Sequence, residues 1–168
     1  MLKTFAGIVI ILLTVGVYGS TDYQPTTFIK DTKLIGSLHQ NNEVEMFLGI
    51  PFAVPPINDL RWEKPIAWTP ENKKEITANK FRAACIQNQR IVNWYKRLIL
   101  DFGSDPRTFD IPEFSEDCLY LNLWRPRELK NNLPVIVYIH GGSNKAGWAY
   151  EPNYPVSYTH LTLPTTLQ

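Results

Sequence analysis

The stretch Leu133-Pro-Val-Ile-Val-Tyr-Ile-His-Gly-Gly-Ser-Asn-Lys-Ala-Gly-Trp148 decides how the rest of the chain is read. Val135 to Ile139 is a short run of β-branched and aromatic apolar residues, the pattern of a strand buried on both faces. It stops at His140-Gly141-Gly142. Two glycines after a buried strand allow backbone angles that other residues resist, and they let main-chain N–H groups come close to a ligand. Such N–H groups can form an oxyanion hole. The same residues also fit an ordinary strand ending in a Gly-Gly turn. The segments upstream decide between the two.

Immediately before it comes Ser115-Glu-Asp-Cys-Leu-Tyr-Leu-Asn-Leu-Trp124. Leu119, Leu121 and Leu123 alternate with Tyr120, Asn122 and Trp124, a period of two that predicts a strand over Leu119 to Trp124. Pro126 to Asn132 is a polar turn, and Leu133 to His140 the next strand. Earlier, Ile91, Trp94, Tyr95, Leu98 and Phe102 share helical spacing, so Arg90 to Phe102 is expected to be a helix with one apolar face turned to the core. Asp101 to Pro112 is rich in turn residues. Thr32 to Leu38 and Glu43 to Ile50 are short strand candidates about the turn Gln40-Asn41-Asn42, an N-terminal hairpin. Between hairpin and helix, Gly49-Ile-Pro-Phe-Ala-Val-Pro-Pro56 and Leu60-Arg-Trp-Glu-Lys-Pro65 carry too many prolines for a helix or a central strand. They are expected to be extended loop, fixed by aromatic residues.

The chain has 168 residues, enough for one domain with a real core. A formal net charge of +1 gives no reason to expect a nucleic-acid partner. Thirteen prolines and five tryptophans suit a loop-rich globular protein better than a helical bundle or a disordered tail. At the N-terminus, Lys3 precedes an almost wholly apolar run from Phe5 to Val17, and Val17-Tyr18-Gly19 forms a plausible cleavage site. The run is shorter than the ~20 residues of a membrane-spanning helix. Residues 1–19 are therefore read as a cleaved signal peptide, the alternative being an uncleaved anchor, and the destination as extracellular. Cys85 and Cys118 are an even count, which in a secreted chain suggests one disulfide; the alternative is two buried thiols. No Asn-x-Ser/Thr acceptor occurs.

Three motifs now stand in order: Phe47-Leu-Gly-Ile-Pro-Phe-Ala-x-Pro-Pro56 with Leu60-Arg-Trp62, then Ser115-Glu-Asp-Cys-Leu-Tyr-Leu-Asn122, then Val137-Tyr-Ile-His-Gly-Gly142. Together they resemble the N-terminal part of a type-B carboxylesterase, the cholinesterase-like branch of the α/β-hydrolase fold, from about Thr32 to about Tyr150. The resemblance implies an α/β fold, of which this chain is a truncated N-terminal portion: a β-hairpin, Pro-rich loops, a disulfide loop and the first strands of a twisted, mostly parallel central sheet. It implies a secreted or lumenal hydrolase of small-molecule carboxylic esters, with a Ser–Glu/Asp–His triad whose serine sits at a Gly-x-Ser-x-Gly turn, and with no cofactor or metal. The N–H groups of Gly142 and Ser143 would be the oxyanion donors, with Gly141 shaping the loop. Cys85 and Cys118 would be joined, closing a loop beside the active-site gorge. Arg61 would pair with Glu116; the alternative is a solvated arginine. The sequence is silent on a membrane anchor and on oligomeric state.

The chain also departs from the family pattern. Where the family often has a third glycine and an aromatic residue, Ser143 and Asn144 stand. Ser143 keeps its N–H, but a positive φ there would strain it. Ser143 is not the nucleophile, because Gly141-Gly-Ser-Asn-Lys145 lacks the second glycine of the elbow. His140 belongs to the oxyanion loop by resemblance and is not the catalytic base. His39 sits in a predicted turn and His160 in the C-terminal tail, neither within a motif. Choline-selective members place a tryptophan ten residues before the cysteine of Glu-Asp-Cys; here that position is Thr108, beside Phe109, which suits a general carboxylesterase. No Gly-x-Ser-x-Gly occurs in the 168 residues. Residues 20–155 are thus read as the N-terminal part of the esterase domain, and 156–168, without a charged side chain, as a foreign tail. A second class stays open: a non-catalytic cholinesterase-like adhesion protein that has lost its serine. The residue at the elbow would separate the two.

Overall fold

A computed structural model describes residues 23–70, 74–128 and 132–151. The segment read as a signal peptide, the tail with His160 and the middle of the Pro126 to Asn132 turn lie outside the described residues. The elements are β1 (Thr26–Ile29), β2 (Thr32–Ile35), β3 (Ser37–Leu38), β4 (Val44–Pro51), β5 (Glu75–Thr77), β6 (Ala84–Cys85), α1 (Arg90–Asp101), β7 (Phe114–Ser115) and β8 (Tyr120–Pro126). Among the described residues they form three small sheets, ordered β1-β2-β5, β3-β4-β8 and β6-β7.

The predicted hairpin is present between β3 and β4, with Ser37 opposite Met46 and Leu38 opposite Glu45. The preceding half of the predicted first strand belongs elsewhere: β2 pairs antiparallel with β1 and parallel with β5. Alternation alone does not reveal that the chain changes sheets at Gly36. Antiparallel pairing of β4 with β8 brings the first two sequence motifs side by side. Its register shifts between Phe47 and Ile50. Gly49 lies in this irregularity at φ 73°, and a Cβ there would come within 2.6 Å of the Arg82 side chain and 2.7 Å of the Lys80 carbonyl oxygen. The bulge thus requires glycine.

Two apolar cores result. Leu34, Phe47, Ile50 and Ala78 form one, with Ile29 and Ile76 against it. Ala84, Val92, Tyr95 and Trp148 form the other, with Ile91, Phe109, Phe114 and Tyr150. The helix is where it was expected, but its buried residues are Val92 and Tyr95, while Trp94 and Phe102 are exposed. The apolar face spans a little under half of the circumference, from Trp94 round to Val92, and only its Tyr95–Val92 side is turned inward. Docking against Trp148 and Phe109, distant in sequence, selects it.

Two further expectations are corrected. The Pro-rich segment is extended, but aromatic burial does not hold it: Trp62 is 96% exposed and Phe52 half-exposed. Backbone bonds fix it instead, from Val54 N–H to the Ile66 carbonyl (2.8 Å), Trp68 to Phe52 (3.2 Å) and Phe52 to Leu119 (3.1 Å). The second correction concerns Leu133 to His140. It forms no strand, and Val135 and Ile139 are 86% and 84% exposed. Strand conformation is held by ladder hydrogen bonds to a neighbour, and no strand among the described residues runs alongside.

Candidate functional site

The Ser115–Asn122 motif can be read residue by residue. Ser115 Oγ accepts from the Asp117 N–H at 3.1 Å, and the Asp117 carboxylate accepts from the Tyr120 hydroxyl at 2.8 Å. Burial first, and then that carboxylate, push the Tyr120 phenol up to about 12. Glu116 Oε1 lies 2.5 Å from Arg61 Nε, across a half-exposed surface. Cys118 is bonded to Cys85, closing a loop between positions 33 apart. Asn122 Oδ1 accepts from the Gly49 N–H at 2.9 Å, satisfying the backbone at the bulge. Glu116, Cys118 and Asn122 therefore each fix a different part of the chain, Arg61 in the Pro-rich segment, Cys85 ahead of α1 and Gly49 in β4, while Ser115, Asp117 and Tyr120 bond within the run.

The glycine-rich loop lies beyond the disulfide. Gly142 has φ 122°, and Ser143 and Asn144 have φ 55° and 56°. Lys145 N–H donates to the Gly142 carbonyl at 3.0 Å, so two left-handed residues sit at the centre of a turn, the type I′ pattern. Serine in that region costs about 1 kcal/mol or more. The loop closes tightly. A Cβ on Gly142 would stand 1.6 Å from the Ala146 carbonyl oxygen, and one on Gly147 would stand 2.5 Å from that of Gly141. Among the described residues, no hydrogen bond uses the N–H of Gly142 or Ser143. Ser143 is exposed and Gly142 half-buried. His140 Nδ1 lies 2.9 Å from the Gly141 carbonyl oxygen, and a Cβ on Gly147 would come within 2.7 Å of that nitrogen and 2.9 Å of Glu151 Oε1. His39 contacts Asn41 in its turn.

Two residues with no sequence motif around them hold the loop's far end. Gln87 Oε1 accepts from the Gly147 N–H at 2.5 Å, and its Nε2 donates to the carbonyls of Gly147 (2.9 Å) and Cys85 (3.0 Å). Glu151, buried, accepts from the Trp148 N–H at 3.1 Å and from the Tyr95 hydroxyl at 2.9 Å. The only hint in the sequence is that Gln87 stands two residues past a cysteine. Phe109, next to Thr108, stacks on Tyr95 at 5.3 Å and lies 6.5 Å from Trp148. Its ring belongs to the core.

The family model for the carboxylesterase family matches residues 24–162. The chain belongs to the carboxylesterase family. This carboxylesterase-family chain is 37% identical over 116 residues to fumonisin B1 esterase of Sphingopyxis macrogoltabida, covering 67% of this chain and 18% of that protein. Over 125 residues it is 38% identical to mouse carboxylesterase 5A, covering 71% and 20%. It is 34% identical to mouse acylcarnitine hydrolase over 154 residues, 86% and 26%. Among solved structures, a thermophilic pNB esterase superposes with a TM-score of 0.61 at 29% identity, over 77% of this chain and 24% of that one. The fold is thus a portion of the α/β-hydrolase fold, and the chain spans about a fifth to a quarter of the proteins it matches.

Proposed function

We propose that this chain is the N-terminal portion of a secreted carboxylic-ester hydrolase whose serine nucleophile, acid and histidine lie outside it. The observation that carries this reading is the curl from Gly141 to Gly147. Two adjacent backbone N–H groups, on Gly142 and Ser143, are left without partners among the described residues, at the accessible turn of a loop braced against a disulfide. Attack on an ester carbonyl places negative charge on its oxygen, and fixed N–H donors stabilise that charge more than the neutral carbonyl. A strained, preorganised loop suits the task. Among the described residues no hydrogen bond joins Ser143 to a proton acceptor, which fits a nucleophile and base supplied from outside this portion. The core position of Phe109 favours a general ester substrate over a choline ester. The disulfide and the apolar N-terminus support secretion.

The test is to express residues 20–168 and the transcript-completed protein side by side, with a short-chain aryl ester and an organophosphate label. Turnover and serine labelling are expected in the completed protein alone. Labelling of Ser143 in the short chain would overturn its assignment as an N–H donor. A completed protein with an intact Gly-x-Ser-x-Gly and triad but no turnover would point to the adhesion class.

A further inference from the structure

We infer that Gln87 and Glu151 are positioning residues for the oxyanion loop, an inference that rests on the esterase reading above. The loop's two ends meet: Gly147 packs so closely on the Gly141 carbonyl that a side chain would not fit, and Gly142 does the same against Ala146. Whatever fixes Gly147 and Trp148 therefore fixes Gly141 and Gly142. Gln87 does so as a backbone mimic. Its amide donates to and accepts from Gly147, and its remaining N–H holds the Cys85 carbonyl, so the loop is registered to the disulfide. Glu151 does so from the buried side, joining the Trp148 N–H to the Tyr95 hydroxyl on α1. A carboxylate with two donors in an apolar cluster is held in one geometry, because the bonds that offset its burial exist only there. Neither side chain reaches the Gly142 or Ser143 N–H, so both act through the loop.

The experiment uses the transcript-completed protein. Gln87→Met removes the tie at nearly constant volume, and Glu151→Leu removes the other. Amide hydrogen exchange reads the loop directly: loss of the paired bonds predicts faster exchange at Gly147 by about tenfold or more, with α1 unchanged in Gln87→Met. Steady-state kinetics read the consequence. Misplacing the donors is expected to lower kcat about 100-fold with KM little changed, since the loss falls on the transition state. Glu151→Gln, which keeps an acceptor for Trp148, should recover most of the loss. An active wild type whose Gln87→Met and Glu151→Leu variants keep full kcat would overturn the inference, as would unchanged exchange at Gly147. No turnover in the wild type would instead defeat the esterase reading, and the positioning role with it.

Discussion

Arg125→Met should be among the most destabilising single substitutions in this part of the protein. Glu45 is 1% exposed, near the start of β4, and directly opposite Arg125 of β8. Arg125 Nε donates to Glu45 Oε2 at 2.6 Å, while its other nitrogens reach the Thr26 carbonyl at 2.9 Å and Thr27 Oγ1 at 3.3 Å. The Tyr23 hydroxyl donates to the second carboxylate oxygen, and the guanidinium lies over the Phe47 ring at 4.9 Å. Removing the arginine leaves a carboxylate in the core with Tyr23 alone. Breaking a buried pair this way costs about 3–5 kcal/mol, or two to three and a half powers of ten in the unfolding equilibrium. The pair is not itself worth that much, since desolvation offsets most of its attraction. The cycle of Arg125→Met, Glu45→Leu and the double variant separates the two quantities in urea unfolding of the complete protein. Each single variant should lose several kcal/mol, and the double should recover at least half of the summed loss. Additive losses would refute the reasoning, because they would mean that neither charge suffers from the absence of the other.

Replacing both Cys85 and Cys118 by alanine should cost about 3.7 kcal/mol, the chain-entropy value for a loop of 33 residues. An unchanged urea midpoint would contradict it. Arg61→Met should cost less than about 1 kcal/mol, because the pair with Glu116 is half-exposed; a loss of several kcal/mol in the same assay would mean that it is buried in the complete protein. The Tyr120 phenol, near 12 when folded, lies above its ordinary value of about 10. Its contribution is therefore complete below pH 10 and lost as pH rises toward 12. Tyr120→Phe should flatten the alkaline arm of the stability–pH curve, and an unaltered arm would assign that loss to other groups.

The resemblance named two partners, Arg61 for Glu116 and Cys85 for Cys118, but not Tyr120 for Asp117 or Gly49 for Asn122. Glu116, Asp117, Cys118 and Asn122 stand out within a few residues of one another, and the structure gives each a separate partner. Gly142 and Ser143 were legible because two glycines after an apolar run imply unusual backbone angles. Glu45 was half legible: counting back two from Phe47 puts it on the buried face of β4, but nothing local names Arg125, 80 positions on, as its counter-ion. Gln87 and Glu151 carry almost no local signal, since glutamine and glutamate are ordinarily surface residues. Pairing across a fold is settled by topology, and a single sequence encodes topology only through the elements it can build.

The run from Val135 to Ile139 makes the same point from the opposite side. Its composition is that of a central strand, yet it lies extended and exposed. Burying a side chain of this size contributes about 1.5–3 kcal/mol, so five of them represent on the order of 10 kcal/mol. That equals the net stability of an ordinary domain. Leu121 and Leu123 on β8 are also 41% exposed, so the apolar residues without cover are not confined to one segment. Neighbouring strands would supply the cover, and their hydrogen bonds would fix the backbone that delivers His140 to the glycine loop. Gln87 and Glu151 hold that loop at its far end. At its near end the chain arrives from an exposed segment that no strand among the described residues pairs with. On the proposed reading of Gly142 and Ser143 as oxyanion donors, full preorganisation requires both anchors: the polar brace contained here, and a sheet closing around residues 135–139.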